Sequence, residues 1–202
     1  MAEIGFQGLI VGLGNPGLRY LDTPHNFGFL ALESFLKASE DKWAVIPCPA
    51  FKCELWRGDL DGKKWLAAKP LTYMNLSGDA VGPLARWYKL APEHILIVQD
   101  ELDLPWGRLK FKKNGGAAGH KGILSISNAL GSNAFFRLRI GIGRPGPGQD
   151  SASYVLRRFS ESERIAVAEV LTRAVKAIST YCLLGPMAAM QALHAPSAAD
   201  FV

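Results

Sequence analysis

The sequence predicts an α/β fold, a single globular domain in which a twisted mixed β-sheet is flanked by helices. Strand-like and helix-like segments alternate along the chain without separating into two halves, which is typical of one α/β domain. The length of 202 residues is also that of one domain with a sizeable core. Hydrophobic residues make up 49% of the chain and charged residues 20%, as in ordinary globular proteins. We therefore expect residues 1–202 to form one domain.

In the first half of the chain, hydrophobic spacing and turn residues predict the elements. Leu9-Ile10-Val11 predicts a buried strand that ends in a glycine-rich turn. Apolar residues at helical spacing predict a helix over about 25–38. The dipeptide Asp61-Gly62 predicts a hairpin within strand-like sequence from about 51 to 66, which Lys69-Pro70 ends. Asn75 or Ser77 could then cap a helix.

The second half is expected to begin with a strand from His94 to Val98 that ends at Gln99-Asp100. Two further strands carry basic residues at alternate positions, and ILSISNAL between them predicts a short helix. The stretch GRPGPG, 143–148, predicts a loose segment. Ser160-x-x-Glu163 is a capping box. It opens a helix whose expected apolar face consists of Ile165, Ala168, Leu171, Val175, Ile178 and Cys182. Gly185-Pro186 breaks this helix, and a final short helix follows. Together the two C-terminal helices are expected to span about 160–194.

Composition restricts the class of function. No apolar run reaches the roughly 18 residues of a membrane span, and the first residues do not resemble a signal peptide. Three cysteines without a C-x-x-C pair predict a reducing, cytoplasmic location. None of the four histidines belongs to an H-E-x-x-H motif, so we expect no metal.

The glycine-rich turn matches a well-known nucleotide motif. Gly12-Leu13-Gly14-Asn15-Pro16-Gly17 fits G-x-G-x-x-G, which in dinucleotide enzymes opens a helix at once. Here Pro24 disfavours helical geometry at Thr23, so a helix is expected only near His25. The expected second strand is also replaced by helix-like sequence. A dinucleotide enzyme remains as an alternative.

A general base is the first chemical candidate. His25 lies near Asn15, Tyr20 and Asn26 in the sequence, and a carboxylate that accepts its Nδ1 proton would leave Nε2 free to take a proton from water. Asp100 and Asp103 are the candidate carboxylates, because both follow a strand. Alternatively, His25 packs at a helix start and the acids are solvated.

No G-x-S-x-G elbow supplies a nucleophile, so water is the expected nucleophile if the chain is a hydrolase. Asn15 and Asn75 could orient a carbonyl group and stabilise its developing oxyanion. The alternative is that both are turn or cap residues.

A basic face is the third candidate. Lys110, Lys112, Arg137 and Arg139 occupy same-sided strand positions beside a glycine-rich loop. Such a face could bind phosphate, and the net charge of +5 and pI near 9.2 favour a polyanion over a merely solvated surface.

Over essentially its whole length the chain resembles the bacterial-type peptidyl-tRNA hydrolases. Four blocks carry the resemblance: LIVGLGNPGLRYLDTPHNFGF, KPLTYMNLSGDAV, DELDLPWGRLKFKKNGGAAGHKG and FFRLRIGIGRPG. The resemblance implies hydrolysis of the ester between a peptide and the 3′-terminal ribose of tRNA, without metal or cofactor. It implies that the enzyme recycles tRNA from abandoned translation. The implied partner is peptidyl-tRNA, through its acceptor stem and 3′ end, and the implied state is a monomer.

The resemblance also assigns roles to individual residues. His25 is the implied general base, and Asp100 keeps it basic and oriented. Asn15 is implied to contact the peptide backbone, and Asn75 to hold the carbonyl group and water. Lys112 and Arg139 match a clamp on the tRNA 5′-phosphate. The other candidate substrate-binding residues are Tyr20, Asn26, Tyr73, Met74, His120 and Lys121, and residues 143–155 match a mobile lid.

Two positions depart from the family pattern. Pro24 replaces an arginine that the family usually has before the histidine. Lys121 replaces the asparagine of Gly-His-Asn-Gly, and lysine can only donate hydrogen bonds. We expect its ammonium to meet a phosphate near the tRNA 3′ end, the alternative being a solvated side chain. A non-catalytic RNA-binding relative of the same fold, as in chloroplast splicing factors, is the remaining alternative function.

Overall fold

The computed structural model describes residues 5–194, and they form one domain around a seven-stranded mixed sheet. The strands, numbered along the chain, are β1 Gly8–Gly12, β2 Trp43–Ile46, β3 Cys53–Leu60, β4 Lys63–Pro70, β5 Ile95–Glu101, β6 Leu109–Lys113 and β7 Phe136–Gly141. Their order across the sheet is β2-β3-β4-β1-β5-β7-β6. The fold predicted from the sequence is confirmed.

Six α-helices in the described residues cover the two faces of the sheet. They are α1 Phe27–Ala38, α2 Gly78–Trp87, α3 Lys121–Leu130, α4 Ser151–Leu156, α5 Glu161–Leu184 and α6 Pro186–His194. Side chains alternate along β1, as the pleat of a strand requires. Ile10 packs in the core layer beneath α1 and α5, whereas Leu9 and Val11 pack in the layer beneath α2 and α3.

The centre of the sheet is parallel, and this arrangement positions the site. β1 pairs in parallel with β4 on one side and with β5 on the other. The strand order therefore switches at β1, because the strands that follow lie first on one side of β1 and then on the other. In open α/β sheets, ligands bind outside the carboxyl ends of the strands at such a switch point. The loops after β1, β4 and β5 carry Asn15, Asn75 and the residues that follow Glu101.

The predicted hairpin is confirmed and is longer than expected. β3 and β4 pair in antiparallel register from Leu60 opposite Lys63 to Cys53 opposite Pro70. Asp61 and Gly62 form the turn with φ of 57° and 74°, the left-handed geometry that a two-residue hairpin loop favours. Pro70 ends β4, as Lys69-Pro70 predicts.

Other boundaries and faces differ from the sequence prediction. α1 begins at Phe27, because Pro24–Asn26 forms a separate 3₁₀ turn. The capping box of α5 is present, but Ile165 and Ala168 are exposed. Val167 is only partly buried against the core, and full burial along α5 begins at Val170. Ser77 precedes α2 without a side-chain cap, since its hydroxyl donates to the carbonyl oxygen of Met74 at 2.8 Å.

Two short elements, β2 and α4, had no counterpart in the sequence prediction. Among the described residues, no helix is long and apolar enough to cross a membrane.

Candidate active site

The glycine-rich turn serves close packing between β1 and α1. A Cβ atom on Gly28 would lie 2.2 Å from the carbonyl oxygen of Val98 in β5, so only glycine lets the start of α1 reach the sheet there. A Cβ atom on Gly14 would lie 2.6 Å from the ring of Phe29. The turn leads into a 3₁₀ turn, Leu18–Tyr20, and does not open a helix. The dinucleotide alternative is therefore wrong for this loop.

This packing brings His25 to the end of β5. Nδ1 of His25 lies 3.0 Å and 3.1 Å from the two carboxylate oxygens of Asp100. A carboxylate can only accept here, so Nδ1 carries the proton and Nε2 is left as the basic nitrogen. Nε2 makes no hydrogen bond to any residue between 5 and 194, and His25 lines an open cavity. The predicted pairing of His25 with Asp100 is present.

The pair has the electrostatics of a general base with its carboxylate. Burial lowers the pKa of His25, but the charge and hydrogen bond of Asp100 outweigh burial and leave that pKa raised. Burial alone would raise the pKa of Asp100, yet the two neighbouring histidines hold it well below its usual range. Asp100 is only 2% exposed, so it is a buried anion in contact with two imidazoles.

His120 is the second imidazole. Its Nε2 lies 3.1 Å from Oδ1 of Asp100, and its Nδ1 accepts from the backbone N–H of Ile123 at 3.4 Å, which caps α3. Both ring nitrogens are thus engaged within the protein. Although His120 lines the cavity, its nitrogens face Asp100 and α3, not a substrate.

His25, Asp100 and His120 together resemble a metal-binding group, because their candidate ligand atoms lie within 4.8 Å of one another. The hydrogen bonds do not fit a metal. Nδ1 of His120 accepts from the N–H of Ile123, so the ring proton of His120 lies on Nε2. Nδ1 of His25 faces the carboxylate of Asp100 and is also protonated. Both histidine atoms that face the carboxylate are therefore donors.

Asn15 and Asn26 hold each other in place. The backbone N–H of Asn15 donates to Oδ1 of Asn26 at 2.8 Å, and Nδ2 of Asn26 donates to the carbonyl oxygen of Asn15 at 3.0 Å. Asn26 is 1% exposed, so it supports the loop and cannot contact substrate, contrary to our expectation. Oδ1 of Asn15 accepts from the backbone N–H of Met74 at 2.8 Å. Nδ2 of Asn15, a residue of the cavity wall, has no hydrogen-bond partner among residues 5–194 and can donate into the cavity.

The cavity has a volume of about 560 Å³. Asn75 and Tyr73 are exposed at its wall, whereas Met74 between them is buried. Tyr20 forms a further part of the wall, with the guanidinium of Arg19 over its ring. The predicted residues that meet at the cavity are His25, Asp100, Asn15, Asn75, Tyr20, Tyr73, Met74, His120 and Lys121.

Lys121 is exposed at the start of α3 and lines the cavity. Its charge opposes that of Asp100 and lowers the pKa of His25. It also lowers the pKa of Asp150, which caps α4 on the same cavity, although the hydrogen bonds of Ser153 contribute more. Lys121 therefore lies in reach of both the base and α4.

The basic strand positions divide into two roles. Arg137 is 2% exposed and donates to the carbonyl oxygens of Asn114, Gly115 and Gly116, so it supports the glycine-rich loop. Nε of Arg139 donates to Glu101 at 2.7 Å, and its terminal nitrogens have no hydrogen-bond partner within the described part of the chain. Lys112 is half-buried beside Gly115. Lys112 and Arg139 thus remain candidates for phosphate.

The sequence prediction missed part of the cavity wall. α4 contributes Ser151, Ala152, Val155 and Leu156, and the Asp150-x-x-Ser153 cap is the signal that could have revealed this helix. Asp103, the second candidate carboxylate, pairs with Arg144 at 2.6 Å and does not reach His25. Glu101 also lines the cavity and was not predicted to do so.

Comparison with known proteins identifies the family of the chain. The family model described as "Peptidyl-tRNA hydrolase" matches residues 9–200. A peptidyl-tRNA hydrolase of Nitratidesulfovibrio vulgaris is 43% identical over 204 residues, which cover 95% of this chain and 98% of that protein. One from Thermus thermophilus is 47% identical over 170 residues, 84% of this chain and 86% of that protein.

Solved structures agree as well. The crystal structure of peptidyl-tRNA hydrolase from Acinetobacter baumannii superposes with a TM-score of 0.85 at 35% identity, covering 96% of each chain. A complex of peptidyl-tRNA hydrolase with N-propanol gives a TM-score of 0.86 at 34% identity, covering 96% of this chain and 98% of the other. This chain belongs to the peptidyl-tRNA hydrolase family.

Proposed function

We propose that this chain is an esterase that hydrolyses the bond between a peptide and the 3′-terminal ribose of tRNA, with water as the nucleophile. One observation carries the mechanism: Nε2 of His25 is unpaired among residues 5–194 and lines the cavity, while Nδ1 is held by Asp100. Such a histidine can take a proton from water and return it to a leaving group. The family supplies the substrate class.

The proposed reaction has two proton transfers. Nε2 of His25 removes a proton from water as the oxygen attacks the ester carbonyl carbon, and Asp100 stabilises the imidazolium that forms. Amide N–H groups of Asn15 and Asn75 stabilise the oxyanion. The ester C–O bond then breaks, and the ribose 3′ oxygen takes the proton from His25. The products are a peptide acid and tRNA with a free 3′ hydroxyl group.

Asn15 also supports a preference for N-blocked substrates. Its Oδ1 is occupied by Met74, so only its Nδ2 donor is free for a peptide carbonyl oxygen. Tyr20, Tyr73 and Met74 would form the wall against the peptide. A free amino group carries a positive charge and cannot accept from such a donor.

The tRNA partner is proposed to bind through its acceptor stem and 3′ end. Lys112 and Arg139 lie on neighbouring strands beside the glycine-rich loop, and together they would clamp the 5′-phosphate. Lys121 would meet a phosphate nearer to the ester, because it already lies at the cavity.

A mobile lid at about 143–155 is a further part of the proposal. The hydroxyl of Tyr154 in α4 donates to the carbonyl oxygen of Ile142 at 2.7 Å, and this contact restrains α4. We therefore expect the loop before α4 to move more than α4 itself. The ion pair of Arg144 with Asp103 is exposed and could open readily. We also propose that the protein acts as a monomer in the cytoplasm, where its substrate forms.

The test is release of an N-acetylated amino acid from charged tRNA. We expect wild type to hydrolyse N-acetylaminoacyl-tRNA in preference to aminoacyl-tRNA. His25→Ala should retain tRNA binding and lose about 10²–10⁴-fold in turnover, the usual contribution of a general base. Near-normal turnover in His25→Ala would contradict the mechanism. Binding of tRNA without hydrolysis by wild type would favour a non-catalytic RNA-binding protein.

A further inference from the structure

Asp100 is held by two histidines, although the proposed reaction needs only one of them. Nδ1 of His25 approaches both carboxylate oxygens, and Nε2 of His120 approaches Oδ1 at 3.1 Å. Resting on the proposed function, we infer that His120 is a positioning residue: it donates a hydrogen bond that fixes the carboxylate of Asp100 and thereby sets the orientation and basicity of His25.

The backbone of α3 determines the tautomer of His120. The N–H of Ile123 donates to Nδ1, so Nδ1 is an acceptor and the ring proton of a neutral imidazole lies on Nε2. His120 is therefore a rigid link between the start of α3 and the end of β5. Its side chain is 8% exposed. Neither ring nitrogen is left for a substrate.

The second donor has a mechanical consequence. A carboxylate bound by one histidine can turn about its Cβ–Cγ bond, and each rotation would carry the imidazole of His25 with it. In this site Oδ1 accepts from both imidazoles, whereas Oδ2 accepts from His25 alone. These contacts fix the plane of the carboxylate. Orientation of a general base is lost readily, because misplacement by about 1 Å can cost on the order of 10²-fold in rate.

The second donor also has an electrostatic consequence. The N–H dipole of His120 points its positive end at Asp100, and the two imidazole rings are 5.2 Å apart. This dipole weakens the negative potential of Asp100 at His25 and so acts to lower the His25 pKa. The other titratable groups around the cavity are Lys121, Glu101, Asp150, Tyr20 and Tyr73. Of these, Lys121 acts on His25 in the same direction as the dipole.

Two substitutions separate the hydrogen bond to Asp100 from the cap on α3. Asparagine is a favourable N-cap residue, so H120N should keep the cap and lose the donor to Asp100. Glutamine is longer and can place its amide N–H near the position of Nε2, so H120Q should keep the donor and weaken the cap. Each variant is measured for kcat and KM on N-acetylaminoacyl-tRNA, for melting temperature, and for the His25 pKa by NMR without substrate.

We expect kcat of H120N to fall about tenfold with KM unchanged, the loss expected for one hydrogen bond to a charged group. The His25 pKa should be higher in H120N than in wild type, and H120Q should recover most of both changes. An unaltered kcat and an unaltered His25 pKa in H120N would overturn the inference. A change confined to KM would make His120 a substrate ligand. A loss in H120Q without a loss in H120N would make it a cap alone, and equal losses in both variants would contradict the role of the hydrogen bond to Asp100. The NMR titration needs no substrate, so it distinguishes failure of this inference from failure of the proposed function.

Discussion

Asp100 acts on His25 through charge as well as through geometry. The carboxylate is buried, and its ionised form persists because both of its neighbours donate hydrogen bonds. A buried anion is costly unless it is paired and hydrogen-bonded, so this site is stable only as a unit. Its members come from three segments: the turn before α1, the end of β5 and the start of α3.

Asp100→Asn should lower the His25 pKa, because asparagine keeps an acceptor for Nδ1 but carries no charge. The acid limb of kcat/KM, where His25 becomes protonated, should move to lower pH. Turnover above that limb should fall by about 10²-fold, since the imidazolium loses its counter-ion. An NMR titration checks the shift, and the same His25 pKa in both proteins would refute it. His194→Ala is a suitable control, because His194 contacts β6 instead.

Lys121→Asn should have the opposite effect on His25. Removal of the ammonium should raise the His25 pKa, because Lys121 lowers it in the wild type. If Lys121 also binds a phosphate, KM should rise at low salt and converge with the wild-type value at high salt. Coincident KM curves at every salt concentration would show that Lys121 is a solvated surface residue.

Single residues could be predicted from the sequence where their chemistry is distinctive. His25 stood out beside the asparagines, and Asp100 stood out at a strand end. The roles of Asn26 and His120 could not be read in the same way, because each depends on a hydrogen bond to a particular backbone group. Sequence shows which donors exist but not which acceptors they meet.

At the scale of elements, predictions succeeded where a local signal was strong. The hairpin turn and the capping box of α5 depend on neighbouring residues, so both were found. β2 was missed because it is a short edge strand without regular alternation of burial. The buried face of α5 was misplaced because the stripe of a helix that packs on the core is set by tertiary contacts: Val170 and Ala174 are buried where Leu171 and Val175 were expected.

α6 and the edge strand β6 are joined by a pH-sensitive contact. Nε2 of His194 accepts from the backbone N–H of Phe111 at 3.1 Å, and a protonated imidazole cannot accept. Burial, followed by the charges of Lys110 and Arg108, lowers the pKa of His194. A lowered folded-state pKa means that the contact contributes fully above the unfolded pKa of about 6.5 and is lost as pH falls.

His194→Ala should therefore destabilise the protein at pH 8 by up to about 1 kcal/mol and have little effect at pH 5. Urea unfolding at both pH values measures the difference. His94→Ala is the matched control, because His94 is an exposed histidine outside this contact. An equal loss at both pH values would mean that His194 contributes packing alone.

At the scale of the whole molecule, the site follows from the parallel centre of the sheet. β4 and β5 lie on either side of β1, so the carboxyl ends of three strands meet at one edge. Asn15, Asn75 and Asp100 are far apart in sequence, yet each lies at or shortly after the end of one of these strands. The alternation of elements predicted a mixed sheet, but strand order depends on long-range pairing and was not predictable from local pattern.

The same topology separates the proposed phosphate clamp from the base. β7 and β6 extend the sheet beyond β5, and Lys112 and Arg139 lie on these outer strands. Substrates with a 5′-phosphate should thus lose affinity when the clamp is removed, while kcat should change little. Arg139→Ala alone would leave Glu101 as a buried carboxylate without its ion-pair partner. The Arg139→Ala change is therefore made together with Glu101→Gln, and the single variant Glu101→Gln is the reference.

Lys112→Ala and the Arg139→Ala/Glu101→Gln pair should each weaken binding of 5′-phosphorylated tRNA more than that of dephosphorylated tRNA. Each should also reduce the slope of log affinity against log salt by roughly one unit. Lys113→Ala is the control of equal charge, because Lys113 is exposed on the same strand and directed to the ring of Phe136. A non-specific basic surface would show equal losses for both tRNAs and for all three lysine and arginine variants. A loss confined to Lys112 and Arg139, and to tRNA that carries the 5′-phosphate, is the result that a clamp requires.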